Sequence, residues 1–183
     1  MNKASLFAAS GALAFLIAAC VPAEPGPVAS AGSSAPTEVV DVRAEMQQHI
    51  NPAMLGIWDV TNNAMDDQGA IDPAQMDAGK WRQIAAAAEQ LAQSGLRMTA
   101  PAPLVAASPG NTEVGEGEIP MADVQRHLDS DPRLFRQMAS AFAAHSTRLA
   151  EAATGQNAAA TGDLVAAMDG VCESCHGRFW YPE

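Results

Sequence analysis

Helix start and stop signals recur along this chain and constrain its fold more than any other feature. Three Asx-Pro pairs can each begin a helix, because an Asx side chain caps the first turn and proline fits within it. These pairs are Asn51-Pro52, Asp72-Pro73 and Asp131-Pro132. Gly95 and Gly155 each follow a helical pattern, as helix-ending glycines do. Between these signals apolar residues recur at i, i+3 and i+4, which predicts an all-α fold.

The periodic segments predict four long helices, over residues 38–67, 73–96, 132–154 and 159–178. Asn51-Pro52 lies inside the first and is expected to kink or restart that helix rather than end it. Alanine is abundant while aromatic residues make up 5% of the chain, which favours helix over sheet. A Pro/Gly-rich connection over 99–120 and a short helix at 121–127 join the second long helix to the third. The simplest arrangement is an antiparallel four-helix bundle.

The first nineteen residues have the composition of an export signal. Lys3 precedes a run of apolar and small residues that extends through Ala19. The ending Ile17-Ala18-Ala19-Cys20 resembles the lipobox of bacterial lipoproteins, which implies cleavage before Cys20 and a lipid on that cysteine. The alternatives are an ordinary signal peptide with an unlipidated cysteine, or an uncleaved anchor. Residues 20–37 are rich in Pro, Gly, Ala and Ser and predict a disordered tether to a domain over 38–183.

The net charge and the residue after Cys20 indicate the cellular location of the protein and the kind of partner it binds. The formal net charge of −11 argues against binding nucleic acid or docking directly on anionic lipid. The expected membrane contact is therefore the N-terminal lipid alone, and a basic partner protein is favoured. Lipoproteins that stay in the inner membrane carry Asp after the lipidated cysteine. Val21 at that position implies, by the same resemblance, a periplasm-facing protein on the outer membrane.

The chain has three cysteines, and lipidation would use one of them. Cys172 and Cys175 remain, in an exported protein where free thiols tend to oxidise. A disulfide between them would make a thioredoxin-like redox site, although no βαβ pattern surrounds them. A zinc site would need further ligands, and the other histidines, at 49, 127 and 145, are isolated in the sequence. Covalent haem fits the string Cys-Glu-Ser-Cys-His, which is the attachment signal for c-type haem.

On a helix, the spacing within this string brings its reactive side chains together. Residues at i, i+3 and i+4 share one helix face, so Cys172, Cys175 and His176 point the same way. The two thiols can form thioethers with the haem vinyl groups, and the His176 imidazole can reach the iron as the proximal ligand. The sequence therefore predicts one covalent haem c on the last helix.

The position of the motif, seven residues from the end, is similar to that in class II cytochromes c. In that family the haem motif ends the fourth helix of a bundle, and the first helix lines the distal side. Phe179 and Arg178 also match the family in residue type. This resemblance implies an antiparallel four-helix bundle over 38–183, and a possible homodimer paired through the first two helices.

The resemblance extends to the first helix, where a distal ligand would lie. The segment "VRAEMQQHINPAMLGIWD" is similar to the first helix of methionine-ligated class II members, with Pro52 and Trp58 at matching positions. Met46 is therefore the expected sixth ligand of the iron. His49, Met54 or no protein ligand are the alternatives. His145 lies on an apolar face and is expected to be a core histidine, whereas His127 is expected to face solvent.

These features predict a cell-envelope carrier of single electrons rather than an enzyme. No paired carboxylates, Ser-His-Asp pattern or phosphate-binding loop indicates another chemistry. The first alternative is a pentacoordinate, cytochrome c prime-type protein that binds nitric oxide or carbon monoxide. The second is a haemless envelope lipoprotein with a redox dithiol or a scaffold role.

Overall fold

The computed structural model describes residues 38–181, which form an all-α fold. The all-α prediction is confirmed. The predicted export signal, the lipidation site at Cys20 and the tether through residue 37 lie outside the described residues. No helix among residues 38–181 is long and apolar enough to cross a membrane.

The first helical region has three parts. Helix α1 covers Val42–Glu45, a π-helical turn covers Met46–Ile50, and α2 covers Asn51–Asn62. The Asp41 carboxylate caps α1 by accepting a hydrogen bond from the Ala44 amide at 2.9 Å. The sequence predicted one kinked helix over 38–67. The helical region is shorter at both ends, because residues 40–41 form a strand and α2 ends at Asn62.

The second long helix begins later than predicted. Asp72-Pro73 opens only a 3₁₀ turn, Pro73–Gln75, and α3 covers Ala78–Met98. The cap of α3 is Asp77, whose carboxylate accepts hydrogen bonds from the Gly79 and Lys80 amides at 2.7 and 2.9 Å. The prediction that Asp72-Pro73 starts the second long helix is therefore wrong. Gly95 lies inside α3 and does not end it.

The connection after α3 contains the second strand of a small sheet. Strand β1, Val40–Asp41, pairs in parallel with β2, Leu104–Val105, so that Val40 is opposite Leu104. No run of β-branched residues predicts these two-residue strands. Helix α4 then covers Met121–Ser130, three residues longer than the predicted short helix.

The last two helices agree closely with the sequence. Helix α5 covers Pro132–Thr154 and α6 covers Ala158–Phe179. Asp131 caps α5 through the Leu134 amide at 3.0 Å, and Asn157 caps α6 through the Ala160 amide at 3.1 Å. Pro132 stands in the first turn of α5, where its missing N–H costs nothing.

Helices α3 and α5 form the most extensive helix pair among the described residues. A Cβ added at Gly95 would lie 2.8 Å from the Ala143 Cβ, 2.9 Å from its backbone nitrogen and 3.0 Å from the Ala139 carbonyl oxygen. The two backbones approach this closely because position 95 has no side chain. Gly95 is thus a packing glycine rather than a helix stop.

His145 connects α5 to α6 inside the core. It is buried, and its Nε2 lies 2.8 Å from the Leu164 carbonyl oxygen of α6. Its Nδ1 lies 3.2 Å from a guanidinium nitrogen of Arg148. An Nε2–H tautomer donates to the carbonyl and accepts from the arginine, so both ring nitrogens have partners. The prediction of a core histidine is confirmed, while His127 is half-buried on α4.

Replacing Gly95 with alanine should destabilise the fold. The new methyl group would collide with backbone atoms of α5, which cannot move aside as a side chain can. We expect Gly95→Ala to lower the free energy of unfolding by about 1–3 kcal/mol, the usual cost of overpacking. Urea denaturation followed by circular dichroism measures the change.

Gly170→Ala is the matched control, because no atom lies within 4 Å of a Cβ added in α6 at that position. We expect it to stabilise the protein by about 0.5–1 kcal/mol through helix propensity. Equal effects of the two substitutions would contradict the packing role of Gly95.

Candidate functional site

A mostly apolar cavity of about 300 Å³ lies where the first helical region, α3, α5 and α6 meet. Its volume is at the lower end of the range of about 300–1,000 Å³ typical of small-molecule sites. Aliphatic, thioether and aromatic side chains form most of its wall. From the first helical region these are Met46, Ile50, Met54, Leu55 and Trp58. From α3 and α5 they are Met98, Phe135, Ala139 and Phe142.

The last two turns of α6 contribute the reactive groups of the cavity. Cys172, Cys175 and His176 all line it, and each is half-buried. Both cysteines are free thiols. The three residues share one face of α6, as their spacing predicted. Val171 completes this part of the wall with an apolar side chain.

The methionine predicted as a distal ligand lines the same cavity. Met46 is half-buried and stands on the first helical region, whereas His176 belongs to α6. The structure therefore brings the predicted proximal and distal residues to one cavity although 130 positions separate them in sequence. That Met46 ligates a metal stays a prediction.

The alternative distal residues differ in position. Met54 is buried and lines the cavity, so its thioether is a second sulfur available there. His49 is half-buried and is absent from the cavity wall; its carbonyl oxygen accepts a hydrogen bond from Gln90 at 3.1 Å. Met98, at the end of α3, is a third cavity methionine that the sequence did not single out. It lies two residues beyond the helix predicted over 73–96, so no signal in the sequence pointed to it.

Burial changes the protonation of the reactive groups. Burial raises the pKa of the Cys175 thiol to about 11, with a smaller contribution from Cys172. The pKa of Cys172 is also raised, chiefly by burial and then by Asp169. Burial lowers the pKa of His176, which the Glu173 charge only partly opposes. At neutral pH the site thus offers two neutral thiols and a neutral imidazole.

This protonation distinguishes the site from that of a redox dithiol. Reactive cysteines in oxidoreductases have lowered pKa values, because the thiolate is the nucleophile. A neutral imidazole, in contrast, has the free nitrogen lone pair that metal ligation requires. The site is better suited to metal ligation by His176 than to thiol exchange by Cys175.

Aromatic residues follow the motif and pack around it. The Tyr181 ring meets the His176 ring edge-on, with centroids 5.3 Å apart. Phe179 is buried and packs edge-on against Phe135 of the cavity wall at 5.4 Å. Trp58 lines the cavity, whereas Trp81 is buried in the core away from it.

A polar junction joins the end of α6 to the first helix. The Trp180 indole donates to a Glu118 carboxylate oxygen at 3.1 Å, and Arg43 pairs with the other oxygen at 3.2 Å. The Gly115 amide also donates to Glu118, at 2.8 Å. No local signal predicts this junction, because its members are 62 and 75 positions apart in the sequence.

Arg43 is buried, yet its Nε and Nη1 atoms have no hydrogen-bond partner among the described residues. Buried guanidinium groups are costly unless their donors are satisfied. Arg43 stands one turn before Met46, on the helical region that lines the cavity. Arg43 itself is not among the residues that line the cavity.

The residues present fit a covalently attached haem. Two free thiols and an imidazole share one face, and the wall around them is largely apolar. No group of three or more His, Cys, Asp and Glu side chains within residues 38–181 could by itself hold a metal ion. Comparisons with known proteins found no matching family, no matching curated protein and no matching solved structure.

The polar junction predicts a pH-dependent stability. Burial raises the pKa of Glu118, but the Gly115 amide, the Trp180 indole and Arg43 outweigh this effect and lower it overall. A carboxyl whose pKa is lowered by folding stabilises the protein above its unfolded pKa. That stabilisation is lost as the pH falls from about 4.3, the pKa of a glutamate in the unfolded chain, through the lower pKa of Glu118 in the folded protein.

We therefore expect Glu118→Gln to lower the free energy of unfolding at pH 7 by about 1–2 kcal/mol. The difference from the unsubstituted protein should shrink as the pH falls toward 3, because protonation removes the charge of Glu118. Urea denaturation at the two pH values measures it, and Glu116→Gln, at an exposed position, is the control. A deficit that stayed the same at pH 3 would contradict the role of the Glu118 charge.

Proposed function

We propose that this protein is a haem c-binding electron carrier of the cell envelope, similar to class II cytochromes c. One observation carries the proposal: a largely apolar cavity has Cys172, Cys175 and His176 in one wall and Met46 in another. A thioether-forming pair, a proximal imidazole and a distal thioether are the groups that a six-coordinate haem c needs. The protein would carry electrons rather than catalyse a reaction.

The proposed architecture is an antiparallel four-helix bundle. Its helices would be the first helical region with α2, then α3, α5 and α6. Consecutive members of this series contact one another: α2 with α3, α3 with α5, and α5 with α6. Only residues 155–157 separate α5 from α6, and so short a connection favours antiparallel neighbours.

The chain's own residues have distinct roles in this proposal. The Cys172 and Cys175 thiols would each add across a vinyl group, the sulfur bonding to carbon while the thiol hydrogen completes the other carbon. His176 and Met46 would hold the iron. Haem, when bound, would supply a one-electron couple. The apolar wall would exclude water, and a thioether ligand raises the reduction potential.

The gas-binding alternative differs only in the distal ligand. It requires that Met46 stay off the iron, leaving the distal side of the cavity open to a diatomic ligand. The redox-dithiol alternative is disfavoured by the raised pKa values of both cysteines. The proposed location is the periplasmic side of the outer membrane, with lipid on Cys20, and the proposed partner is a basic redox protein. A homodimer belongs to the proposal on the resemblance alone.

Haem attachment is tested by expression with a c-type haem maturation system. We expect the exported protein to retain haem after denaturing electrophoresis, because only thioether bonds survive denaturation. The Cys172→Ala/Cys175→Ala variant should lose all haem staining. Cys20→Ser is the matched control: it should keep full staining and lose membrane association. Protein that folds but carries no covalent haem would refute the proposed function.

Iron ligation is tested by replacing the cavity methionines separately. We expect the reduced protein to show a sharp low-spin α-band that carbon monoxide leaves unchanged. Met46→Ala should convert it to a high-spin form that binds carbon monoxide, with haem content unchanged. Met54→Ala, which removes a second cavity thioether, should stay low-spin. If the unsubstituted protein is already high-spin and binds carbon monoxide, the gas-binding alternative is favoured.

A further inference from the structure

We propose that Pro52 and the π-helical turn Met46–Ile50 act together as a positioning device, which turns the Met46 side chain toward the cavity. The inference rests on the proposed function and adds a reason for the ligand's orientation. Pro52 itself contributes no side chain to the cavity wall. It would act through the backbone that it shapes.

Proline explains why the helix widens at this place. Residue 52 of a regular α-helix would donate its N–H to the Gln48 carbonyl, but Pro52 has no N–H and its ring would collide with that carbonyl. The structure relieves the collision with a π turn, in which the Asn51 amide bonds to the Met46 carbonyl five residues earlier. A π turn absorbs one residue more than an α turn.

The extra residue changes the direction in which Met46 points. Met46, Ile50, Met54 and Trp58 all line the cavity at a constant spacing of four. In a regular α-helix, twelve residues at about 100° each would put Met46 about 120° away from Trp58. The π turn takes up one residue, so that about eleven rotations of 100° remain between Met46 and Trp58. The angle between these two residues around the helix then falls to about 20°. The π turn therefore brings Met46 onto the same helix face as Ile50, Met54 and Trp58.

Contacts on both sides hold this arrangement. Upstream, the Val40 amide bonds to the Pro103 carbonyl at 2.9 Å and the Arg43 amide to the Ala106 carbonyl at 3.0 Å. Glu45, directly before Met46, forms a two-fold ion pair with Arg97 of α3. Downstream, α2 packs on α3. The π turn lies between two anchored segments and sets their relative rotation.

The decisive variants change the turn without touching a cavity residue. Pro52→Ala permits a regular helix with the same number of residues, which would rotate Met46 by about 100°. Combining Pro52→Ala with deletion of Gln48, an exposed residue of the turn, gives a regular helix in which Met46 regains its direction. Pro73→Ala, in the 3₁₀ turn before α3, is the proline control.

We expect Pro52→Ala to lose part or all of the low-spin α-band and to gain carbon monoxide binding, at unchanged covalent haem content. The double variant should regain the low-spin spectrum, and Pro73→Ala should keep it. A merely structural role of Pro52 would lower stability without changing the spin state. Circular dichroism of each variant reports whether the helices are retained.

Two results would overturn the inference: a Pro52→Ala protein that stays fully low-spin, or a folded double variant that stays high-spin. Failure of the proposed function looks different. In that case the unsubstituted protein lacks covalent haem, or holds it in a high-spin form.

Discussion

The close approach of α3 and α5 determines the shape of the cavity. Gly95 lets the two backbones meet at Ala139 and Ala143, and the contact lies directly beside the cavity wall. Met98 follows Gly95 by one turn of α3, and Ala139 itself lines the cavity. A wider separation of these helices would move both residues and change the space next to Cys175 and His176. Packing at one glycine thus shapes the part of the cavity that α3 and α5 form.

The other walls depend on contacts that are distant in sequence. The end of α6 is held by Trp180 through Glu118, and Glu118 in turn pairs with Arg43 of α1. This junction fixes the wall that carries the cysteine motif relative to the wall that carries Met46. The long connection between α3 and α4 supplies Glu118, so it has a structural role beyond joining helices. Side chains that never touch the cavity therefore position the groups that do.

Much of the fold was predictable from local signals, because helix caps and apolar spacing act over a few residues. Helices α5 and α6 agree with the sequence prediction to within about two residues, the usual uncertainty of helix ends. The start of α3 was predicted wrongly, since Asp72-Pro73 and Asp77 are both plausible caps and only tertiary packing selects between them. The meeting of Met46 with the Cys-x-x-Cys-His motif was expected by resemblance, and both line one cavity. That Met98 and Phe135 line the cavity, and that Glu118 bonds to Trp180, could not be predicted, because these contacts depend on how the helices pack.

The first helical region shows how a sequence pattern can mislead when its backbone is not a regular helix. Met46, Ile50, Met54 and Trp58 are four residues apart, and in an ideal α-helix such a stripe drifts by about 40° per step. By that arithmetic Met46 would stand about 120° away from Trp58 around a regular helix, although both line one cavity. Pro52 removes the contradiction, because it makes the regular helix unfavourable at one place and the wider π turn takes up the difference. Pro52, six residues after Met46, therefore changes which helix face Met46 occupies, and the spacing of this segment has to be counted through the π turn.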